Sequence, residues 1–318
     1  MTVQYKLLVL VDGSERTIQT ANYIKEFMPV GENTQVVLFH VFSGLPEQYR
    51  ELAQNPTCAQ VEGLLKGQEL QEKRQVLESL QQAKHLLVAG GFAEQCVEIK
   101  FQRRAKSVAQ DIIEEAKNGY SAVVLRRRGL GALKNMILGS VAVKLLQSLT
   151  FIPIILVGQE PPVKKLLLAV DASQPSMKAV EFTAKLLGGG GGYEARVFHV
   201  VQGLGAVRFE LPEDACPEHA DDAVAVTCIK AFKAQVARVL NAAAAMLAST
   251  GFDPGCVTKA VVSGARNRAD AIVTEAERCG CSTIVVGRRG LSRVDAFFMG
   301  RVSHAVVYAG KQFSVWVV

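Results

Sequence analysis

The chain carries one pattern twice, and that repetition limits its fold more than any single motif. Residues 5–14, YKLLVLVDGS, match residues 164–173, KKLLLAVDAS, and VVLFHVF (36–42) matches ARVFHVV (195–201). Near the end of each half, SAVVLRRRGLGALKNMILGSV (121–141) matches STIVVGRRGLSRVDAFFMGRV (282–302). The offset is 159 residues at the first two matches and 161 at the third. A spacing this constant across separate blocks marks a duplication. The joint falls in GQEPPVK (158–164), where Pro161 and Pro162 suit a short stiff linker, so the expected domains are 1–159 and 160–318. The chain's 318 residues are enough for each half to bury its own core.

Within each half the pattern predicts β-α-β-α-β-α-β-α-β. Runs such as LLVLV, VVLFHV, SAVVL and IPIILV are continuously apolar and rich in β-branched residues, as strands covered on both faces must be. Helical periodicity falls at 14–28 and 174–187, 61–90 and 222–249, 106–117 and 267–278, and 139–148 and 300–309. The expected fold is α/β, two tandem doubly wound five-stranded parallel sheets with right-handed crossovers. Such sheets bind ligands outside the carboxyl ends of their strands, where the strand order reverses. The five-glycine run 188–192 follows a helix and precedes a strand, which places it at the opposite end, as a helix cap and return loop.

At the carboxyl ends stand several candidates. Asp12 and Asp171 end the first apolar runs, just before a helix; on position, helix capping is favoured over acceptance of hydrogen bonds from a ligand. His40 and His199 read as satisfied interior partners, with no second histidine or paired carboxylate for catalysis or metal binding. The loop after the fourth strand reads Gly287-Arg288-Arg289-Gly290, nine residues, then Gly300-Arg301. Its counterpart is Arg126-Arg127-Arg128-Gly129, nine residues, then Gly139-Ser140. Glycines admit a phosphate close to the backbone, a helix starting there presents amides to it, and Arg288 and Arg289 could supply charge. Neither a P-loop nor a G-x-G-x-x-G fingerprint is present.

The strand-end VDGS and VDAS segments, the FHV strands, the G-x2-G-x9-G loop and the closing apolar strand together resemble the universal stress protein family, over nearly the whole chain and in its tandem form. The resemblance implies a stress-response regulatory protein binding an adenine nucleotide: ATP, alone or with Mg, or AMP. Carried over by position, it implicates Asp12, Val41, Gly129, Gly139 and Ser140 in the first half. In the second it implicates Asp171, Val200, Gly287, Arg289, Gly290, Gly300 and Arg301. The second half is the favoured one, since it keeps all three glycines and Arg301 can donate to phosphate in place of a hydroxyl, with Ser303 nearby. In the first half Arg126 stands where the first glycine belongs, and either obstructs the backbone or requires a left-handed conformation. The alternatives are a partner-binding stress protein whose degenerate sites hold no nucleotide, and a slow ATP hydrolase, for which no metal-binding carboxylate pair or positioned base is evident. The resemblance also implies pairing through the closing strands, made intramolecular by the duplication as a pseudo-dimer, with a homodimer as a further level.

Composition bounds the rest. A net charge of +6 without a clustered basic surface argues against a dedicated nucleic-acid binder. No long charge-free apolar stretch predicts a membrane span, and the start lacks a signal-peptide pattern. Seven cysteines without framework spacing, Cys279 and Cys281 among them, read as reduced thiols in a cytoplasmic protein. Segments 43–60 and 202–221 read as long loops over the cleft, either of which could carry a preference for a ligand or an unknown protein partner.

Overall fold

The computed structural model describes residues 4–30, 33–44, 59–127, 138–201, 208–210, 223–289 and 299–318. The chain divides into two compact units, Met1–Val157 and Gly158–Val318.

The first unit runs β1 (Tyr5–Leu10), α1 (Glu15–Phe27), β2 (Thr34–Phe42), α2 (Ala59–Ala89), β3 (Val97–Arg103), α3 (Val108–Ala116), β4 (Ala122–Arg126), α4 (Ser140–Ser148) and β5 (Ile154–Val157). Its strands lie in the order β3-β2-β1-β4-β5, all neighbours parallel. The chain winds outward from β1 to β3 and then returns to β4, so the order reverses between β1 and β4. Leu7, Leu8 and Val9 of β1, Val36, Val37 and Leu38 of β2 and Val123 and Val124 of β4 are fully buried. Consecutive strand residues face opposite sides of the sheet, so three in a row can be buried only if helices cover both faces.

The second unit repeats this with β6 (Lys165–Ala169), α5 (Gln174–Leu187), β7 (Glu194–Val201), β8 (Arg208–Glu210), α6 (Ala223–Ser249), β9 (Val257–Ser263), α7 (Arg268–Cys279), β10 (Thr283–Val286), α8 (Arg301–Ala309) and β11 (Ser314–Val317). Five strands are parallel, in the order β9-β7-β6-β10-β11, with the reversal between β6 and β10. The expectation of five strands needs one correction here: Arg208–Glu210, inside a segment read as loop, pairs antiparallel with β9 as a sixth, edge strand. A parallel sheet can accept such a strand only at its margin, where one side of β9 is still unpaired.

Helix packing reuses one spacing in both halves. Val76, Leu80, Ala83 and Leu87 of α2 are buried, as are Val236, Leu240, Ala243 and Leu247 of α6. Steps of four, three and four residues keep these side chains on one face. The glycine run 188–192 caps α5 and leads back to β7, at the amino end of the strands, as its position predicts. No helix among the described residues is long and apolar enough to cross a membrane.

Candidate functional site at the carboxyl ends of the strands

The first loop has the same architecture twice. Asp12 does not cap α1: Ser14 does, accepting from the Arg16 amide, while Asp12 Oδ1 accepts from the Ser14 amide (3.1 Å) and hydroxyl (2.6 Å). In the second unit Ser173 caps α5, accepting from the Ser176 amide, and Asp171 Oδ1 accepts from the Ser173 amide at 3.1 Å. The favoured capping role therefore belongs to the serine two residues on, and each aspartate braces a tight Asx turn. The middle residue of the turn is left-handed in both copies: Gly13 at φ 76° and Ala172 at φ 64°. Thr17 and Ser176 tie the turns from within the helix, by hydrogen bonds from the Gly13 and Asp171 amides. The signal for these serines and for Thr17 was present in sequence, as D-x-S-x-x-(T/S) in both halves.

The histidines hold the next feature. His40 Nδ1 lies 2.8 Å from the Val11 carbonyl, and His199 Nδ1 lies 2.7 Å from that of Val170. A carbonyl only accepts, so Nδ1 carries the proton in each ring. Burial depresses the pKa of His40 below its ordinary 6.5, with the Val11 carbonyl, Asp12 and Glu72 opposing. The interior reading of these histidines is right, and it has a consequence for the backbone. Val11 and Val170 donate their amides to the Phe39 and Phe198 carbonyls as the last rung of each sheet pair. In a parallel ladder, alternate residues turn both backbone groups to the same neighbour. Val41 and Val200, two residues beyond that rung, therefore present amide and carbonyl toward β1 and β6, beside the Asp12 and Asp171 turns. The carbonyl that the next rung would use, Val11 or Val170, is occupied by the histidine ring. Among the described residues neither the Val41 nor the Val200 pair of groups has a hydrogen-bond partner. Both residues are only 9% exposed, and unpaired backbone groups in so sheltered a place call for a ligand or water.

The third part of the site is the turn after β4 and β10. Gly139 and Gly300 are the N-caps of α4 and α8, and no side chain caps either helix. Ser140 and Arg301, the first helical residues, are exposed. Gly300 donates its amide to the Arg288 carbonyl at 2.7 Å, which fixes the start of α8 against the strand end. Ser303 is buried and donates its hydroxyl to the Gly287 and Arg288 carbonyls, so it braces the turn instead of reaching a phosphate. Gly287 has a packing reason to be glycine. A Cβ there would lie 2.7 Å from the backbone of Pro175 and Ser176, in the first turn of α5. Arg126, its counterpart, is an ordinary strand residue paired in register with Val157, and Ala172 is the one left-handed non-glycine residue among those described. The expected left-handed strain at Arg126 is therefore absent. Arg288 is buried, its pKa lowered to about 10 by burial and by Arg289 beside it, which leaves it charged at neutral pH. Arg289 is exposed. Gly129 and Gly290 lie outside the described residues.

The structure thus gathers Asp171, Val200, Gly287 and Gly300 at the carboxyl end of one sheet, and Asp12, Val41, Gly139 and Ser140 at the same end of the other. Among the described residues no group of three or more His, Cys, Asp or Glu could hold a metal ion. Two of the cysteines lie elsewhere: Cys279 ends α7 and Cys281 lies in the turn before β10; both are free thiols, and burial raises both, Cys281 to about 12.

The universal stress protein family model matches the chain twice, over residues 5–157 and 162–318. Among solved structures, a universal stress protein from Archaeoglobus fulgidus DSM 4304 aligns over 99% of this chain and 96% of its own, with 18% identity and a TM-score of 0.59. A Pseudomonas aeruginosa UCBPP-PA14 protein described as belonging to the same family aligns over 99% and 93%, with 16% identity and a TM-score of 0.52. At these identities the likeness concerns the fold. No curated protein matches the chain.

Proposed function

The chain belongs to the universal stress protein family, as two family units in tandem, and from that premise we propose that it is a stress-response regulatory protein that binds an adenine nucleotide, ATP or AMP, in its second half. The observation that carries this reading is the sheltered amide and carbonyl of Val200 beside Asp171. A donor and an acceptor on one residue match the edge of adenine, which offers a ring-nitrogen acceptor next to an amino donor. Asp171, held at its turn by the Ser173 amide, places a carboxylate where an amino or hydroxyl group of a ligand can donate to it. Some distance along the same edge, the uncapped start of α8 at Gly300 offers amides and a favourable dipole to phosphate, and the exposed Arg289 and Arg301 add charge. Mg, where ATP brings it, is held by the phosphates more than by this protein's side chains.

The test begins with the small molecules that leave the purified chain on acid extraction, followed by thermal unfolding with 1 mM Mg-ATP, on the order of a physiological concentration. An adenine nucleotide in the extract, a raised melting temperature, and loss of that rise in Asp171→Ala support the reading. An empty chain that ATP does not stabilise refutes it. The second reading is a partner-binding protein that has given up nucleotides, and Arg126 in the place of a glycine favours it for the first half. An ATP hydrolase has less support, because among the described residues the site holds no positioned base beyond the Asx-turn aspartates, whose geometry suits binding. Turnover that survives purification and disappears in Asp171→Ala would restore it.

A further inference from the structure

The turn between α3 and β4 carries a chemistry that lies away from the ligand face, at the amino end of the first sheet. α3 stops at Ala116, and the chain enters β4 at Ala122 through residues 117–121. Asn118 is one of seven asparagines in the chain and the only one followed by glycine. Asn118 and Gly119 are both exposed. Gly119 is left-handed at φ 73°, and no atom lies within 4 Å of where its Cβ would be. The backbone amide of Asn118 is taken by the Glu115 carbonyl at 3.0 Å, but among the described residues no acceptor takes the amide of Gly119. That nitrogen has no side chain to crowd it and no hydrogen bond to hold its proton, so it can approach Asn118 Cγ.

The second half closes this route. Gly280 stands at the corresponding left-handed position, φ 66°, with its amide tied to the Ala276 and Glu277 carbonyls, and Cys279 takes the place of the asparagine.

What the Asn118 side chain holds decides the consequence. Its Nδ2 donates to Glu115 Oε2 at 3.1 Å, and the same carboxylate accepts from Lys100 Nζ at 2.7 Å and from the Tyr120 hydroxyl at 2.5 Å. Glu115 is buried. Burial pushes its pKa up, but the hydrogen bonds from Lys100, Tyr120 and Asn118 outweigh this and hold it below the ordinary carboxylate range. A carboxylate in place of the amide at position 118 removes one of these donors and sets a like charge in its place.

We propose that Asn118 is a site of spontaneous modification, where loss of the side-chain amide places a second carboxylate against Glu115 and loosens the amino end of the first unit. The Gly119 nitrogen bonds to Asn118 Cγ, the Cγ–Nδ2 bond breaks, and ammonia leaves with the proton that Gly119 loses. Water then opens the five-membered imide at either carbonyl, giving aspartate or isoaspartate. The change is one-way, is confined to the first half at this turn, and needs no ligand at the carboxyl ends of the strands.

The full chain is incubated in warm, mildly alkaline buffer, digested, and read by mass spectrometry that separates isoaspartate from aspartate. Position 118 is expected to convert several-fold faster than any of the other six asparagines, at a rate within roughly tenfold of that in the urea-unfolded chain. Asn118→Gln should abolish the conversion at this position. A slower folded-state rate than that overturns the proposal, since the fold would then block the attack, and so does faster conversion elsewhere in the chain. For the consequence, Asn118→Asp is compared with Asn118→Ala by urea unfolding followed by circular dichroism. Alanine removes the donor alone, so a lower midpoint in Asn118→Asp than in Asn118→Ala reads the added charge. Equal midpoints, or a higher one in Asn118→Asp, overturn the opposition between the new carboxylate and Glu115.

Discussion

Strain at the turn after the first strand differs between the halves by one methyl group. Gly13 and Ala172 both adopt positive φ, a conformation that costs a residue with a Cβ about 1–2 kcal/mol. In the first half a Cβ at Gly13 would also lie 2.7 Å from Val76 Cγ2 on α2, and overpacking of that kind costs about 1–3 kcal/mol. Gly13→Ala is therefore expected to destabilise the first unit by roughly 2–4 kcal/mol, read as a lowered urea midpoint by circular dichroism. Ala172→Gly releases the strain at an entropic cost of about 0.5–1 kcal/mol, and should leave the second unit unchanged or more stable by up to about 1 kcal/mol. Loss of stability in Ala172→Gly would show that the methyl contributes packing that outweighs its backbone cost. His40 makes a second prediction. Its pKa is depressed in the folded state, so the unfolded chain binds the proton more readily, and stability rises with pH across this titration. The contribution is complete above the ordinary value of 6.5 and is lost as pH falls through the folded pKa. His40→Asn keeps a donor for the Val11 carbonyl but does not titrate, so the difference in urea midpoint between pH 7.5 and 5.5 should shrink. An unaltered difference would move the titration to another group.

The elements were the most legible part of the sequence, and the reason is physical. Continuous apolar runs can be stable only as strands covered on both faces, and 3.6-residue periodicity leaves little choice for the helices, so the order β-α-β could be read directly from residues such as Leu7–Val9 and Val76–Leu87. The edge strand Arg208–Glu210 could not. Three residues carry no period, and their pairing with β9 is set by a sheet margin that local sequence does not describe. The candidate site was legible in outline, because Asp12, Val41, Gly139 and their counterparts lie at strand ends that the topology rule identifies. Its working details were not. The histidine that occupies the Val170 carbonyl, and so leaves Val200 without its rung, acts across 29 residues. Gly287, expected beside a phosphate, also carries a packing constraint between two elements, the end of β10 and the first turn of α5. That assignment predicts a distinct outcome for Gly287→Ala. The added methyl must push α5 away from the strand end, which tilts the Asp171 turn carried at its start. Nucleotide affinity should fall several-fold although Asp171 and Val200 are unchanged, and the cost in stability should be about 1–3 kcal/mol. Titration calorimetry beside urea unfolding checks both, and a variant that loses neither would mean that the backbone yields without strain.

Duplication gives the molecule two copies of one candidate site that differ at the strand end, Arg126 in the first and Gly287 in the second. The sequence provides an internal reporter for telling them apart. Trp316 is the only tryptophan in the chain; it lies fully buried in β11 of the second unit, with Phe182 of α5 edge-on to it at 6.0 Å. Its fluorescence follows unfolding of the second unit, whereas far-ultraviolet circular dichroism follows both. A ligand that binds only the folded state stabilises the unit holding it by RT ln(1 + [L]/Kd), about 2.7 kcal/mol at a hundredfold excess over Kd. If the second half is the adenine site, saturating ATP should move the Trp316 transition to higher urea, by that energy divided by the unit's denaturant dependence. Asp171→Ala should abolish the movement, while the transition seen in the absence of ligand shifts by the cost of losing the part-buried Asx bond to Ser173, about 1 kcal/mol. An ATP response confined to the part of the dichroism change that tryptophan does not see would reverse the assignment of the two copies.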